Sequence, residues 1–353
     1  MSHMLREIEQ QPEVLARTFD REIEHIKKFR KTMQRHPPSL VVLVARGTSD
    51  NAALFGRYLL EALAGIPVSL AAPSVTTLYG AKMRWRNALV VGISQSGEST
   101  DANIFLDTAR RQGALTIGIT NRAGSAITRV VDDIFQVRAG RENSVAATKT
   151  YTGQLLLLYL LAYALGAPIA PSYVRRLAGI TGRVLKIKDR VEALSDRYRF
   201  MSNAVVVGRG FNYANAFEFS LKLMETCYVV AERFSGADFL HGPIALVERS
   251  FPVFLFAPPG PTHPGTVEMC GRLRQLEAET IVISSTSDSR VRAAATREIS
   301  IPGKIPVPPN CPEDVLTPIP YIIPAQLFAA FLAQQKGLDP DRPRTLSKIT
   351  KTI

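Results

Sequence analysis

Cysteine is scarce in this 353-residue chain: Cys227, Cys270 and Cys311 are the only three, and they follow no metal-ligand or disulfide spacing. That excludes a disulfide-stapled scaffold and makes a reducing compartment the natural setting. Histidine is also sparse, with five scattered residues and no zinc motif. No apolar run reaches membrane-spanning length; the longest, Leu155 to Leu165, reads as a buried helix. No signal-peptide pattern opens the sequence, so a cytoplasmic protein with no membrane partner is expected. Runs of like charge are missing too. The net charge of +12 comes from dispersed basic residues rather than a binding arm. Nucleic acid is therefore not the expected partner, and dispersed arginine reads first as solvated surface.

What the chain does have is apolar residues, 46% of the total, enough for two domains with sizeable cores. Residues 6–35 carry helical periodicity, with Leu15, Phe19, Ile23 and Ile26 on one face, ended by Pro37-Pro38. Strand-like runs then alternate with helical patterns: Leu40 to Ala45, a helix Asn51 to Ala64, Ile66 to Ala71, Ala88 to Ile93, and Ala114 to Ile119. The same order returns later, with strands Ala204 to Gly208, Pro252 to Ala257 and Thr280 to Ser284, and helices Tyr213 to Val229 and Pro264 to Leu276. Gly210 follows Gly47, and Gly260 follows Gly97, at one interval of 163 residues. This predicts an α/β protein with two copies of one unit, each a mostly parallel sheet flanked by helices in three layers. The expected divisions are a helical segment over 1–35, a first domain over 36–172, a second over 195–335, and a tail over 336–353.

The most informative stretch is Ser94-Gln95-Ser96-Gly97-Glu98-Ser99, between the Ala88 to Ile93 strand and a helix. A hydroxyl-rich turn at a helix N-terminus combines backbone N–H groups, the positive end of the helix dipole and serine hydroxyls, and so suits a phosphate. The second copy has Ala257-Pro258-Pro259-Gly260-Pro261 at this place. Proline has no N–H to give, so one phosphate site per chain is expected.

These residues, together with Gly47-Thr48-Ser49, Val145-Ala146-Ala147-Thr148-Lys149, Leu221-Lys222-Leu223-Met224-Glu225, His241-Gly242-Pro243 and Pro343-Arg344-Thr345-Leu346-Ser347-Lys348, resemble the sugar isomerase (SIS) family. The similarity covers nearly the whole chain. It points to the isomerase half of glucosamine-6-phosphate synthase and to its glutaminase-lacking relatives, the isomerising deaminases. The resemblance implies two tandem SIS domains and phosphosugar contacts from Thr48, Ser49, Ser94, Gln95, Ser96 and Ser99, with Val145 and Ala147 lining the sugar. It implies Glu225 as the base moving a proton between carbons 1 and 2, and His241 for ring opening, in cis or from a neighbouring subunit. Lys222 and Lys348 would flank the reacting carbonyl.

The same residues have plainer readings. Lys222 and Glu225, three apart on a helix, also suit a surface ion pair. His241 suits a loop histidine, and Lys348 a solvated lysine. Thr48 and Ser49 suit helix caps, and Thr148-Lys149 a helix start. Three positions depart from the synthase pattern: Ala147 for serine, Met224 for lysine and Leu240 for lysine. No nucleophilic cysteine precedes Cys227, so glutamine is not expected as the nitrogen source. The expected reaction is isomerising deamination of an amino-sugar phosphate, glucosamine 6-phosphate to fructose 6-phosphate and ammonium, without metal or redox cofactor, in a homodimer with its site near the subunit interface. The rivals are a deglycase, an isomerase or deaminase for another 6-phosphosugar such as galactosamine 6-phosphate, and a non-catalytic phosphosugar sensor.

Overall fold

A computed structural model of the chain describes residues 1–285 and 288–348. The apolar runs become the central strands of two five-stranded sheets. The first contains β1 (Leu40–Ala45), β2 (Val68–Leu70), β3 (Ala88–Ser94), β4 (Leu115–Thr120) and β5 (Asp133–Gln136), in the order β2-β1-β3-β4-β5. The second contains β6 (Asn203–Gly208), β7 (Val230–Ser235), β8 (Pro252–Ala257), β9 (Glu279–Ser285) and β10 (Arg297–Ile301), in the order β7-β6-β8-β9-β10. The two orders are the same, so the duplication expected from spacing holds at the level of topology. Every pairing is parallel.

Parallel strands are covered on both faces, which is why these segments read as unbroken apolar runs. In β1, Val41 and Leu43 face a core shared by both domains, while Val42 and Val44 face an outer layer with Phe105 and Leu106. The helices include α1 (His3–Glu9), α2 (Gln11–Arg35), α3 (Thr48–Ala64), α4 (Thr100–Arg111), α5 (Lys149–Ala164), α6 (Tyr213–Cys227), α7 (His263–Gln275) and α8 (Pro318–Gln335). The shared core draws on α2, α3, α5, α6 and α8, so the two sheets sandwich a common helical layer. The Leu155 to Leu165 run lies in α5 and the residues just after it, buried almost throughout. Among the described residues no helix is long and apolar enough to cross a membrane.

The N-terminal segment departs from expectation. It is two helices, not one, divided at Gln10, with Pro12 in the first turn of the second. Proline lacks the N–H that a continuing helix would need, but is tolerated in a first turn.

Candidate active site

In the first sheet the chain leaves β1 for β2 on one side and returns to β3 on the other. The loops leaving β1 and β3 diverge there and open a crevice at the strands' carboxyl ends. A cavity of about 590 Å³ fills that place, lined on the β1 side by Arg46, Gly47, Thr48 and Ser49 and on the β3 side by Ser94, Gln95, Ser96, Ser99 and Asp101.

Glycine shapes both loops. Gly47 takes φ +58° as the N-cap of α3. The helix starts at Thr48, three residues before the expected Asn51, so Thr48 sits in its first turn, and neither Thr48 nor Ser49 supplies a side-chain cap. Ser49 Oγ instead accepts a bond from Gln154 Nε2 at 2.9 Å. Gly97 takes φ +69°, and a Cβ there would fall 2.1 Å from Ser125 Oγ. Only glycine fits that close approach.

The serine hydroxyls brace the turn from inside. Ser94 Oγ accepts from the Gly97 N–H at 3.0 Å, and Ser96 Oγ from the Glu98 N–H at 3.3 Å. Each keeps its own O–H proton for a ligand. Ser99 precedes α4 without capping it; its hydroxyl donates to Asp101 Oδ1 at 3.2 Å. Asp101 is nearly buried and is held by Arg46 Nη2 at 2.6 Å.

Two further walls come from distant sequence. Val145 and Ala147 line the cavity from the segment before α5, and Leu346, Ser347 and Lys348 line it from the tail. Two contacts fix the tail beside the cavity. The Arg344 guanidinium stacks over the Tyr228 ring at 4.3 Å, and its backbone N–H donates to Tyr228 Oη at 2.8 Å. Lys348 Nζ donates to Glu142 Oε2 at 3.0 Å and to the Ser144 carbonyl at 2.5 Å. Glu142 has no exposed side-chain surface. Burial opposes its charge, but Lys348 and the N–H groups of Thr148 and Thr150 overcome that and hold it below the usual carboxylate range.

The second domain contributes Glu225, on α6, facing the same cavity. Lys222 lies behind it rather than on the cavity wall. Its Nζ is 2.6 Å from Glu225 Oε2, 3.4 Å from Glu218 Oε1 and 3.1 Å from Thr48 Oγ1. This is no surface ion pair: the Lys222 and Glu218 side chains are 0% exposed and Glu225 is 22% exposed. Burial disfavours the ammonium, yet the two carboxylates raise Lys222 above the ordinary lysine range. Glu218 is pushed up to about 7, chiefly by burial, against the opposing pull of Lys222 and the Asn51 hydrogen bond.

The crevice thus gathers Thr48, Ser49, Ser94, Gln95, Ser96, Ser99, Val145, Ala147, Glu225 and Lys348 on its wall, with Lys222 one layer behind. His241 is not among them. It is exposed at the C-terminal end of the helix Gly236–Leu240, outside the cavity. Lys149 turns away, to Gln10 Oε1 at 2.9 Å and the Arg141 carbonyl at 2.6 Å, with Glu7 at 3.7 Å. Arg46, Asp101, Glu142 and Glu218 belong to the site and were not expected. For Glu218 a signal existed: it stands four residues before Lys222, on the helix face that also carries Glu225.

The SIS domain family pattern matches residues 38–164 and 201–332. The glutamine–fructose-6-phosphate aminotransferase (isomerizing) of Methanothermobacter thermautotrophicus is 35% identical over 347 residues, covering 98% of this chain and 56% of that protein. The chain therefore spans little more than half the length of such curated relatives. A structure from Silicibacter pomeroyi, described provisionally as a phosphosugar isomerase, is 30% identical with a TM-score of 0.83, covering 97% of this chain and 100% of that one. The glucosamine-6-phosphate deaminase of Thermotoga maritima shares the fold at 23% identity and a TM-score of 0.80, over 99% and 100% of the two chains. With both halves matched, each on its own parallel sheet, the chain belongs to the SIS-domain family.

Proposed function

We propose that the chain is an aldose–ketose isomerase of a hexose 6-phosphate, and that its substrate is an amino-sugar phosphate, glucosamine 6-phosphate, released as fructose 6-phosphate and ammonium. One observation carries this reading. A serine-rich turn at a helix N-terminus and a carboxylate from the other domain face one cavity of about 590 Å³. The turn suits a dianionic phosphate, and the carboxylate suits a carbon-bound proton.

In this reading the Ser94–Ser99 turn holds the phosphate and fixes the open-chain sugar along the cavity. Glu225 takes the proton from carbon 2, and the electron pair moves onto the carbon-1 aldehyde oxygen. Lys348, which with Arg46 supplies positive charge on the cavity wall, offsets that developing charge. Return of the proton to carbon 1 leaves an iminium at carbon 2, and transfer of a proton from its nitrogen to the carbon-1 oxygen gives a hydroxymethyl group and an imine. Water then hydrolyses the imine to the ketone and ammonia, which takes up a proton. Ring opening is assigned to His241 of a second copy, because His241 of the same chain lies outside the cavity.

Purified protein given glucosamine 6-phosphate should release ammonium and fructose 6-phosphate in equal amounts, and Glu225→Gln should abolish this. The reading fails if neither product forms and no solvent hydrogen enters carbon 1 or 2. Tight binding of a hexose 6-phosphate without such exchange would make the protein a sensor.

A further inference from the structure

Thr48 stands where the two domains' machinery meets. Its hydroxyl accepts from Lys222 Nζ at 3.1 Å and donates to Glu218 Oε1 at 3.3 Å. Asn51 Nδ2 donates to the other oxygen of Glu218 at 2.8 Å. Lys222 is shared unequally between two carboxylates, 2.6 Å from Glu225 Oε2 and 3.4 Å from Glu218 Oε1. So one oxygen of Glu225, the side chain facing the cavity, is neutralised by an ammonium, and a carboxylate is a stronger base once such a partner leaves it.

A hydroxyl has a single proton to give. If a ligand oxygen takes the Thr48 proton, Glu218 Oε1 loses a donor in a fully buried place. An unsatisfied buried carboxylate is costly, and Lys222 is the nearest group able to replace the lost bond. Closing from 3.4 Å to a charge-assisted distance of about 2.8 Å is a small rotation of the lysine's end.

We propose that Glu218 is a positioning residue: it receives Lys222 when a phosphosugar engages Thr48, and so leaves the Glu225 carboxylate without its ammonium partner and a stronger base. Phosphosugar occupancy in one domain thereby strengthens the carboxylate of the other. The proposal rests on the phosphosugar reading given above. The charged or titratable groups facing Glu218 are few. Lys222 and Glu225 lie on its own helix, and Tyr151 reaches it from α5; burial keeps that phenol neutral, with its hydroxyl 3.2 Å from Asn215 Oδ1. Thr48 and Asn51 of α3 carry no charge. Burial holds Glu218 up at about 7, and the approach of Lys222 favours its ionised form.

The test follows the ammonium of Lys222 by nuclear magnetic resonance on protein with nitrogen-labelled lysine, assigned with Lys222→Met, using fructose 6-phosphate as the probe. In the unaltered protein the probe should shift this signal. In Glu218→Gln the free protein's signal should already differ. The probe should still bind there, but should no longer shift the signal. Turnover should fall about tenfold to a hundredfold in kcat with KM nearly unchanged, the size expected for one hydrogen bond to a charged group. Thr48→Val should likewise abolish the shift. The proposal is overturned if the probe binds and turns over but shifts the signal equally in Glu218→Gln, or if that variant loses only KM. It is also overturned if the free-state signal does not depend on Glu218. Failure of the probe to bind or react at all would instead bring down the phosphosugar reading, and this proposal with it.

Discussion

Lys348 Nζ and Glu142 Oε2 meet at 3.0 Å although 206 positions separate them in sequence. Glu142 is fully enclosed and Lys348 is its only cationic partner within ion-pair distance among the described residues. Lys348→Met should therefore leave a buried carboxylate supported only by neutral donors. We expect a loss of roughly 1–3 kcal/mol, below the usual cost of breaking a buried pair because three hydrogen bonds remain. The sign with pH is fixed. A carboxylate held below its unfolded pKa contributes stability above that value and loses it in acid, as pH falls through the folded pKa. The difference between the two proteins should thus be full at neutral pH and shrink below about pH 4.5. Urea unfolding at several pH values measures it, and equal stability throughout would refute it.

Glu218 predicts the opposite slope. Its folded pKa, about 7, lies above the ordinary 4.5, so the folded state binds the extra proton. Stability from this group is present below pH 4.5 and is lost as pH rises toward 7. Between about pH 5 and pH 7.5 the Tm of the unaltered protein should fall more than that of Glu218→Gln. Parallel Tm curves would show that Glu218 does not titrate in this window.

Glu225→Gln keeps the shape of the side chain and removes its basicity. Exchange of solvent hydrogen into the sugar should drop by about 10²–10⁴-fold, the range for a lost general base, while phosphosugar affinity stays within a few-fold. A matched loss of affinity would mean that Glu225 binds rather than reacts.

Gly97→Ala places a methyl group 2.1 Å from Ser125 Oγ at a residue with φ +69°. We expect about 1–3 kcal/mol of destabilisation and a raised KM for hexose 6-phosphate. Ser96→Ala, which removes only a hydroxyl, should raise KM with little change in Tm. The two variants together separate the turn's shape from its hydrogen bonding; an unchanged KM in both would remove the phosphate from this loop.

The assignment of His241 to a second copy predicts complementation. Glu225→Gln and His241→Asn, each inactive alone, should regain about a quarter of full activity when unfolded together, refolded and assayed as statistically mixed dimers, since half the dimers then carry one intact site. No recovery would return His241 to a role in its own chain or to none.

The sequence announces the central strands because strands buried on both faces leave no polar positions to interrupt them, as in Val41 to Ala45 and Phe254 to Ala257. Of the edge strands only β2 was legible, within Ile66 to Ala71; β5, β7 and β10 were not read. In β7, Glu232 and Arg233 face solvent, and β5 and β10 are short and partly exposed, so none carries a clean apolar pattern. The turn chemistry was legible for a similar reason: three serines and a glycine between strand and helix have few other uses. The buried acids were not. Glu142 lies in the polar stretch Arg141-Glu142-Asn143-Ser144, and nothing local tells that its carboxylate points inward to meet a lysine from the far end of the chain. The depth of Lys222 escaped for the same cause, since a three-residue spacing looks alike on a wet helix and a dry one.

The tail clasps both halves of the molecule, through Arg344 on Tyr228 and Lys348 on Glu142. Any hinge motion that parted the two sheets would have to unfasten one of those clasps first. Undoing the Arg344 one costs a surface stacking contact, whereas undoing the Lys348 one strands a charge in the interior. The strap should therefore peel from the Tyr228 side while staying pinned at Glu142, so that the wall it forms travels with the phosphate-holding half.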